Sequence, residues 1–150
     1  ISLPSIPLRE AAAAGIGHNG GPPLYDRLTV DLPGCGVTTN ATPTVIARLP
    51  MDKGEAGEWV IRTVAREYAD PSSEQLAAYE DVVMAYRPGE GNIALSGSST
   101  QRVINEVTST MAVTVSANTT TQTIDITATG VSSKNIEWGV RAVFNPVAVQ

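Results

Sequence analysis

Cysteine and histidine each occur once in the chain. Cys35 alone forms no internal disulfide, and with no C-x-x-C pair and no second histidine there is no zinc-binding set. His18 is therefore the only base that a Ser-His-Asp or Cys-His arrangement could use, and it stands among glycines and prolines where nothing holds a side chain in register. Aromatic residues make up only 5% of the 150 residues. The core must then be built from small and β-branched side chains, which suit a pleated sheet better than a helix. Basic residues are few, 10 against 15 acids for a net charge of −5, and they are scattered. That excludes the positive stripe that neutralises phosphates, so no nucleic-acid partner is expected. No apolar run reaches the roughly 18 to 20 residues of a membrane-spanning helix, and no membrane partner is expected either. Pro4, Pro7, Arg9 and Glu10 interrupt anything resembling a signal peptide, so the expected route out of a cell is inside a particle or by lysis. No cofactor motif survives inspection. Gly15-Ile16-Gly17-His18-Asn19-Gly20 matches G-x-G-x-x-G by letter, but an alanine run precedes it where a strand is needed, and Gly21-Pro22-Pro23 follows where the helix should begin.

What is present divides the chain at about residue 27. Residues 1–27 hold Pro4, Pro7, Pro22, Pro23 and four glycines, which lack donors or cost entropy on ordering, so this stretch reads as an extended N-terminal arm. Ile1, Leu3, Ile6 and Leu8 alternate there with small or proline residues. They are the candidate particle-binding residues, able to lie in a groove on a neighbour.

From residue 28 to 150 the pattern becomes short β-prone runs separated by turn residues: 28–32, 44–51, 58–68, 92–95, 111–115, 122–128 and 136–144. That density predicts one all-β domain, an antiparallel β-sandwich. Ile124, Ile126 and Ala128 should face the core, with Thr123, Asp125, Thr127 and Thr129 facing water. Ile136, Trp138, Val140, Ala142 and Phe144 form the strongest amphipathic strand, which puts Trp138 in the core. Residues 73–86 fit a helix through Leu76, Tyr79, Val82, Val83 and Tyr86, and fit a strand over 79–86 equally well.

Two turn-rich stretches, 52–57 and 87–91, read as hairpin tips. They supply the candidate recognition residues Asp52, Lys53 and Arg87. Trp59 is expected near a rim beside them, where an exposed ring could stack on a sugar. Cys35, in Pro33-Gly34-Cys35-Gly36, reads as a loop or half-buried thiol. The acids Glu67, Asp70, Glu74, Glu80 and Asp81 have the residue types of a glycosidase pair or a calcium site, but their spacing fits no calcium loop, and a solvated acidic surface is expected.

Three pieces of the sequence resemble a known family: residues 45–66, Asn92-Ile93-Ala94-Leu95-Ser96-Gly97, and residues 123–143 with their strand, Thr-Gly turn and Ile-x-Trp strand. Their order resembles the small jelly-roll-like β-sandwich domains of tailed-bacteriophage virion proteins, among them capsid decoration proteins, head-spike bases and tail appendages. The resemblance implies a strand over 77–86 and a non-enzymatic virion structural protein. Sheet faces rich in small residues suit packing about a three-fold axis, so a homotrimer is expected, with other virion proteins such as the major capsid protein as further partners. The alternative is a tail-associated module that binds a receptor or a host-surface glycan.

Overall fold

Residues 30–67 and 76–147 are described by the computed structural model, with backbone alone for 30–33. Eight strands occur among them: β1 (Val30–Thr38), β2 (Thr44–Pro50), β3 (Ala56–Glu67), β4 (Leu76–Tyr86), β5 (Ala94–Glu106), β6 (Ala112–Asn118), β7 (Thr123–Thr129) and β8 (Ile136–Pro146). They form a five-stranded sheet ordered β1-β8-β3-β4-β5 and a three-stranded sheet ordered β2-β7-β6. Every ladder is antiparallel, so the expected β-sandwich is the fold. Pairing β1 with β8 and β2 with β7 follows jelly-roll wrapping. In contrast, β3 pairs with β4 where a jelly roll would place β6, and β6 instead closes a hairpin onto β7.

Alternation builds the core. Trp59, Ile61, Thr63 and Ala65 of β3 face inward beside Phe144, Ala142, Val140 and Trp138 of β8, residue opposite residue. From the facing sheet, Leu49 of β2 and Ile124, Ile126 and Ala128 of β7 complete it. Trp59 and Phe144 stack with centroids 4.7 Å apart and planes tilted by 35°. Trp138 is fully buried and its indole N–H donates to Thr38 Oγ1 at 2.9 Å, which pins edge strand β1 to β8.

Residues 33–38 continue β1 and are not the loop that Pro33 and two glycines implied. An edge strand tolerates proline because one row of its donors is unpaired anyway. The glycines are required by the close approach of the two sheets. A Cβ on Gly36 would lie 2.8 Å from Ile46 Cγ2, and one on Gly34 would lie 3.0 Å from Ala47 Cβ. With Gly34 and Gly36 inward, Cys35 and Val37 point outward, and Cys35 is an exposed free thiol.

The undecided stretch is a strand. In β4, Ala77, Tyr79, Asp81, Val83 and Ala85 are buried in strict alternation. The expectation for 92–95 is too short, since β5 runs to Glu106. It crosses Ser96-Gly97-Ser98-Ser99 by a bulge, the register jumping from Val82↔Thr100 to Met84↔Ser96, with Gly97 at φ +79°. Asp125 is not on a wet face. It is buried among Asn118 Nδ2 at 2.8 Å, Thr123 Oγ1 at 2.6 Å and Arg48 Nε at 3.6 Å. The arm residues Ile1, Leu3, Ile6 and Leu8 lie outside the described residues, as do Asp70 and Glu74.

Candidate functional site: the loop end and the outer-face trough

The two sequence-picked loops lie together at one end of the sandwich. Residues 51–55 cross from β2 in one sheet to β3 in the other, so they form a corner and not the tip of a hairpin; residues 87–93 do turn β4 into β5. Gly54 N–H donates to Arg87 O at 2.7 Å, and Arg87 N–H donates to Glu55 O at 2.8 Å. The Arg87 side chain points back into this joint, its Nη1 donating to Met51 O at 2.8 Å. Glu55 is buried and accepts from Asp52 N–H at 2.7 Å through Oε1. A third loop joins them, because Gln122 Oε1 accepts from Ile93 N–H at 2.9 Å and its Nε2 donates to Asn92 Oδ1 at 2.7 Å. Gln122 holds a φ of +57° to do so, a conformation that a side chain adopts only when its surroundings impose it.

Of the recognition residues, Asp52 and Lys53 are exposed at this end. Arg87 is a clamp between loops. Trp59 is 2% exposed and packed on Phe144, which corrects the rim placement. Its strand neighbour Glu58 faces outward, and alternation then turns Trp59 in. A ring so placed has no free face for a sugar.

The acids are not one solvated cluster. Glu80 lies on the outer face between Arg62 and Arg102, at 3.1 and 3.5 Å. Glu67 is buried and meets Lys134 Nζ at 3.4 Å. Asp81 faces inward at 1% exposure, where burial pushes its carboxyl above the ordinary range and a hydrogen bond from Gln101 Nε2 at 2.9 Å opposes that rise in part. Gln101 Nε2 also donates to Val113 O at 2.8 Å, so one amide bridges the open side of the sandwich between β5 and β6. Nearby, Tyr79 donates to Glu106 Oε2 at 2.7 Å, and burial with that neighbouring acid pushes the phenol well above its usual range. These groups are engaged in closing the core's open edge. Among the described residues no set of three or more His, Cys, Asp or Glu side chains converges to hold a metal.

A second feature lies on the outer face of the five-stranded sheet. Register places Cys35, Gly139, Val64 and Ala78 in one row across β1, β8, β3 and β4. Because Gly139 has no side chain, a trough opens over Cys35, Gly139 and Val64 of this row. The trough holds about 650 Å³ and is lined also by Val37, Arg66, Leu76 and Glu137. Val64 is 56% exposed, and Val37 and Leu76 are nearly half exposed. An ion pair crosses one border, Arg66 to Glu137 at 3.9 Å, and the Arg62–Glu80–Arg102 set crosses the other. The sequence reading missed this trough. Its signal was the glycine at an outward position of an otherwise regular strand, Glu137-Trp138-Gly139-Val140-Arg141, since a strand glycine marks a place where something approaches closely.

No family model matches the chain, and no curated protein matches it. Two tailspike proteins are among the solved structures similar to it. One is the tailspike protein of Acinetobacter baumannii phage AM24, at 8% identity and a TM-score of 0.48, covering 81% of this chain and 27% of that one. The other is the tailspike protein of Acinetobacter phage vB_ApiP_P1, at 11% identity and a TM-score of 0.34, covering 81% of this chain and 22% of that one. The chain therefore spans about a quarter of the length of either tailspike.

Proposed function

We propose that this chain is a non-enzymatic structural module of a bacteriophage virion, part of an appendage of the particle, joined to neighbouring subunits through residues 1–27. The observation that carries the reading is the pairing of two surfaces that each need a partner: an apolar trough on the outer sheet face, and an apolar, proline-punctuated segment at the N-terminus. The sequence resemblance to virion β-sandwich domains supplies the class of particle. In such an assembly the ordering cost of an arm is offset because many copies engage at once. Self-association as a homotrimer belongs to the same reading, with other virion proteins, the major capsid protein among them, as further partners.

Deleting residues 1–27 tests it. The shortened chain should keep a cooperative melt while losing binding to particles that lack the native protein. Retained binding at full stoichiometry would remove the arm from the mechanism. Light scattering on the full chain checks the trimer, and a monomer under all conditions would sink that part.

A second reading has its own observation in its favour. Three loops, 51–55, 87–93 and 119–122, are tied into one rigid polar end carrying Lys53, Glu90 and Asn92. A tail-associated glycan- or receptor-binding module would use such an end. Glycan-array binding lost on Lys53→Ala or Asn92→Ala, with melting unchanged, would favour it over the structural role.

A further inference from the structure

We infer that the trough over Gly139 receives the apolar segment Ile1–Leu8 of a second copy of this chain, which rests on the arm-mediated reading above and names its receptor. Pro4 and Pro7 lack the N–H groups that a strand needs, so the segment is poorly suited to extending a sheet edge and must bind through its side chains. Prolines three residues apart favour the extended three-fold helix, in which residues i and i+3 share a face about 9 Å apart. Leu3 and Ile6 have that spacing. The low point of the trough is Gly139 on β8, flanked by the exposed Val64 on β3, Val37 on β1 and Leu76 on β4. Leu3 and Ile6 therefore present one apolar face to Gly139 and the exposed Val64, Val37 and Leu76, while the ion pairs on either side keep the surface soluble when the trough is empty.

Cys35 stands at one end of the trough as an exposed thiol and as the chain's single cysteine, which provides the test. A full chain carrying Leu3→Cys with Cys35→Ser is mixed with the unaltered chain under mild oxidant. Any disulfide between the two is intermolecular by design, and mass spectrometry identifies it as residue 3 to Cys35. The expected result is a crosslink at least about tenfold above that of a control with the added thiol at Ser98, which is exposed on β5. A crosslink no greater than the control overturns the inference. Filling the trough with Gly139→Leu in the accepting chain should suppress the crosslink; the position tolerates a side chain, since an added Cβ meets only Val64 Cγ2 at 3.5 Å. Should that variant fail to fold, the full chain with Leu3→Asp and Ile6→Asp serves instead, and its Cys35 should alkylate about tenfold faster than in the unaltered chain. Equal alkylation rates count against the trough. If deletion of residues 1–27 abolishes particle binding while Cys35 shows neither crosslink nor protection, the arm function stands and this receptor assignment fails alone.

Discussion

The buried hydrogen bond from Trp138 Nε1 to Thr38 Oγ1, 2.9 Å long with both residues at 2% exposure or less, invites a double-mutant cycle. Thr38→Val keeps the shape and removes the acceptor. It strands an indole N–H in the core, at a cost of about 1–3 kcal/mol. Trp138→Phe removes the donor together with three ring atoms, so lost transfer energy and residual void should together cost about 2–4 kcal/mol. In the Trp138→Phe background no N–H remains to strand, and Thr38→Val should then cost less than about 0.5 kcal/mol. The cycle therefore predicts a coupling energy of about 0.5–3 kcal/mol. Urea melts give it directly, with Trp59 retained as the fluorescent reporter in every variant, and each kcal/mol should also move Tm by about 2–4 °C. A coupling below about 0.5 kcal/mol, or a harmless Thr38→Val, would mean that the bond does not hold β1 to the sheet.

Three further substitutions have expected outcomes. Asp81 has its carboxyl raised by burial, so the stability it contributes is complete below the unfolded carboxyl range of about 3.9 and is lost as pH rises through its folded value. Asp81→Asn should accordingly stabilise the fold at neutral pH, with the gain shrinking toward zero in urea melts near pH 4; a gain independent of pH would assign the effect to something other than charge burial. Gly36→Ala, which drives a methyl to 2.8 Å from Ile46, should cost about 1–3 kcal/mol. Gly139→Ala, on the open trough, should stay within about 0.5 kcal/mol of the parent, and thermal melts of the pair compare the two glycines side by side.

Much of the sandwich was legible because period-two alternation is local. Ile136 through Phe144 announced the inward face of β8, and Trp138 in the core followed from its neighbours alone. β4 stayed ambiguous because Asp81 breaks its apolar face and Val82-Val83 blurs the period; the preference for a strand came from resemblance, and the structure shows the alternation directly. Pro33-Gly34-Cys35-Gly36 was misread as a loop because its glycines answer to β2, a partner whose approach no local pattern reveals. β5 was cut short at Leu95 by a serine-rich bulge, since an edge strand needs few apolar residues to hold its place. Trp59 was placed at a rim by its proximity to a turn, although Glu58 and Val60 already turned it inward by parity. The trough escaped notice because four strands contribute to it, and only register brings Cys35, Gly139, Val64 and Leu76 together.

The bond between Thr38 and Trp138 spans 100 residues of sequence. β1 has no ladder partner but β8, the last strand of the described chain, so the five-stranded sheet stays open on that side until the far end of the domain is available. On a ribosome, β1 must wait as an unpaired strand while all the others are synthesised, and closure of so long a loop belongs to the slow class of folding events. During that interval the glycine-rich face of β1 and the bare flank of β3 are the surfaces most prone to mispair with a sister chain. A protein produced in many copies at once would then meet its greatest aggregation risk before β8 has emerged.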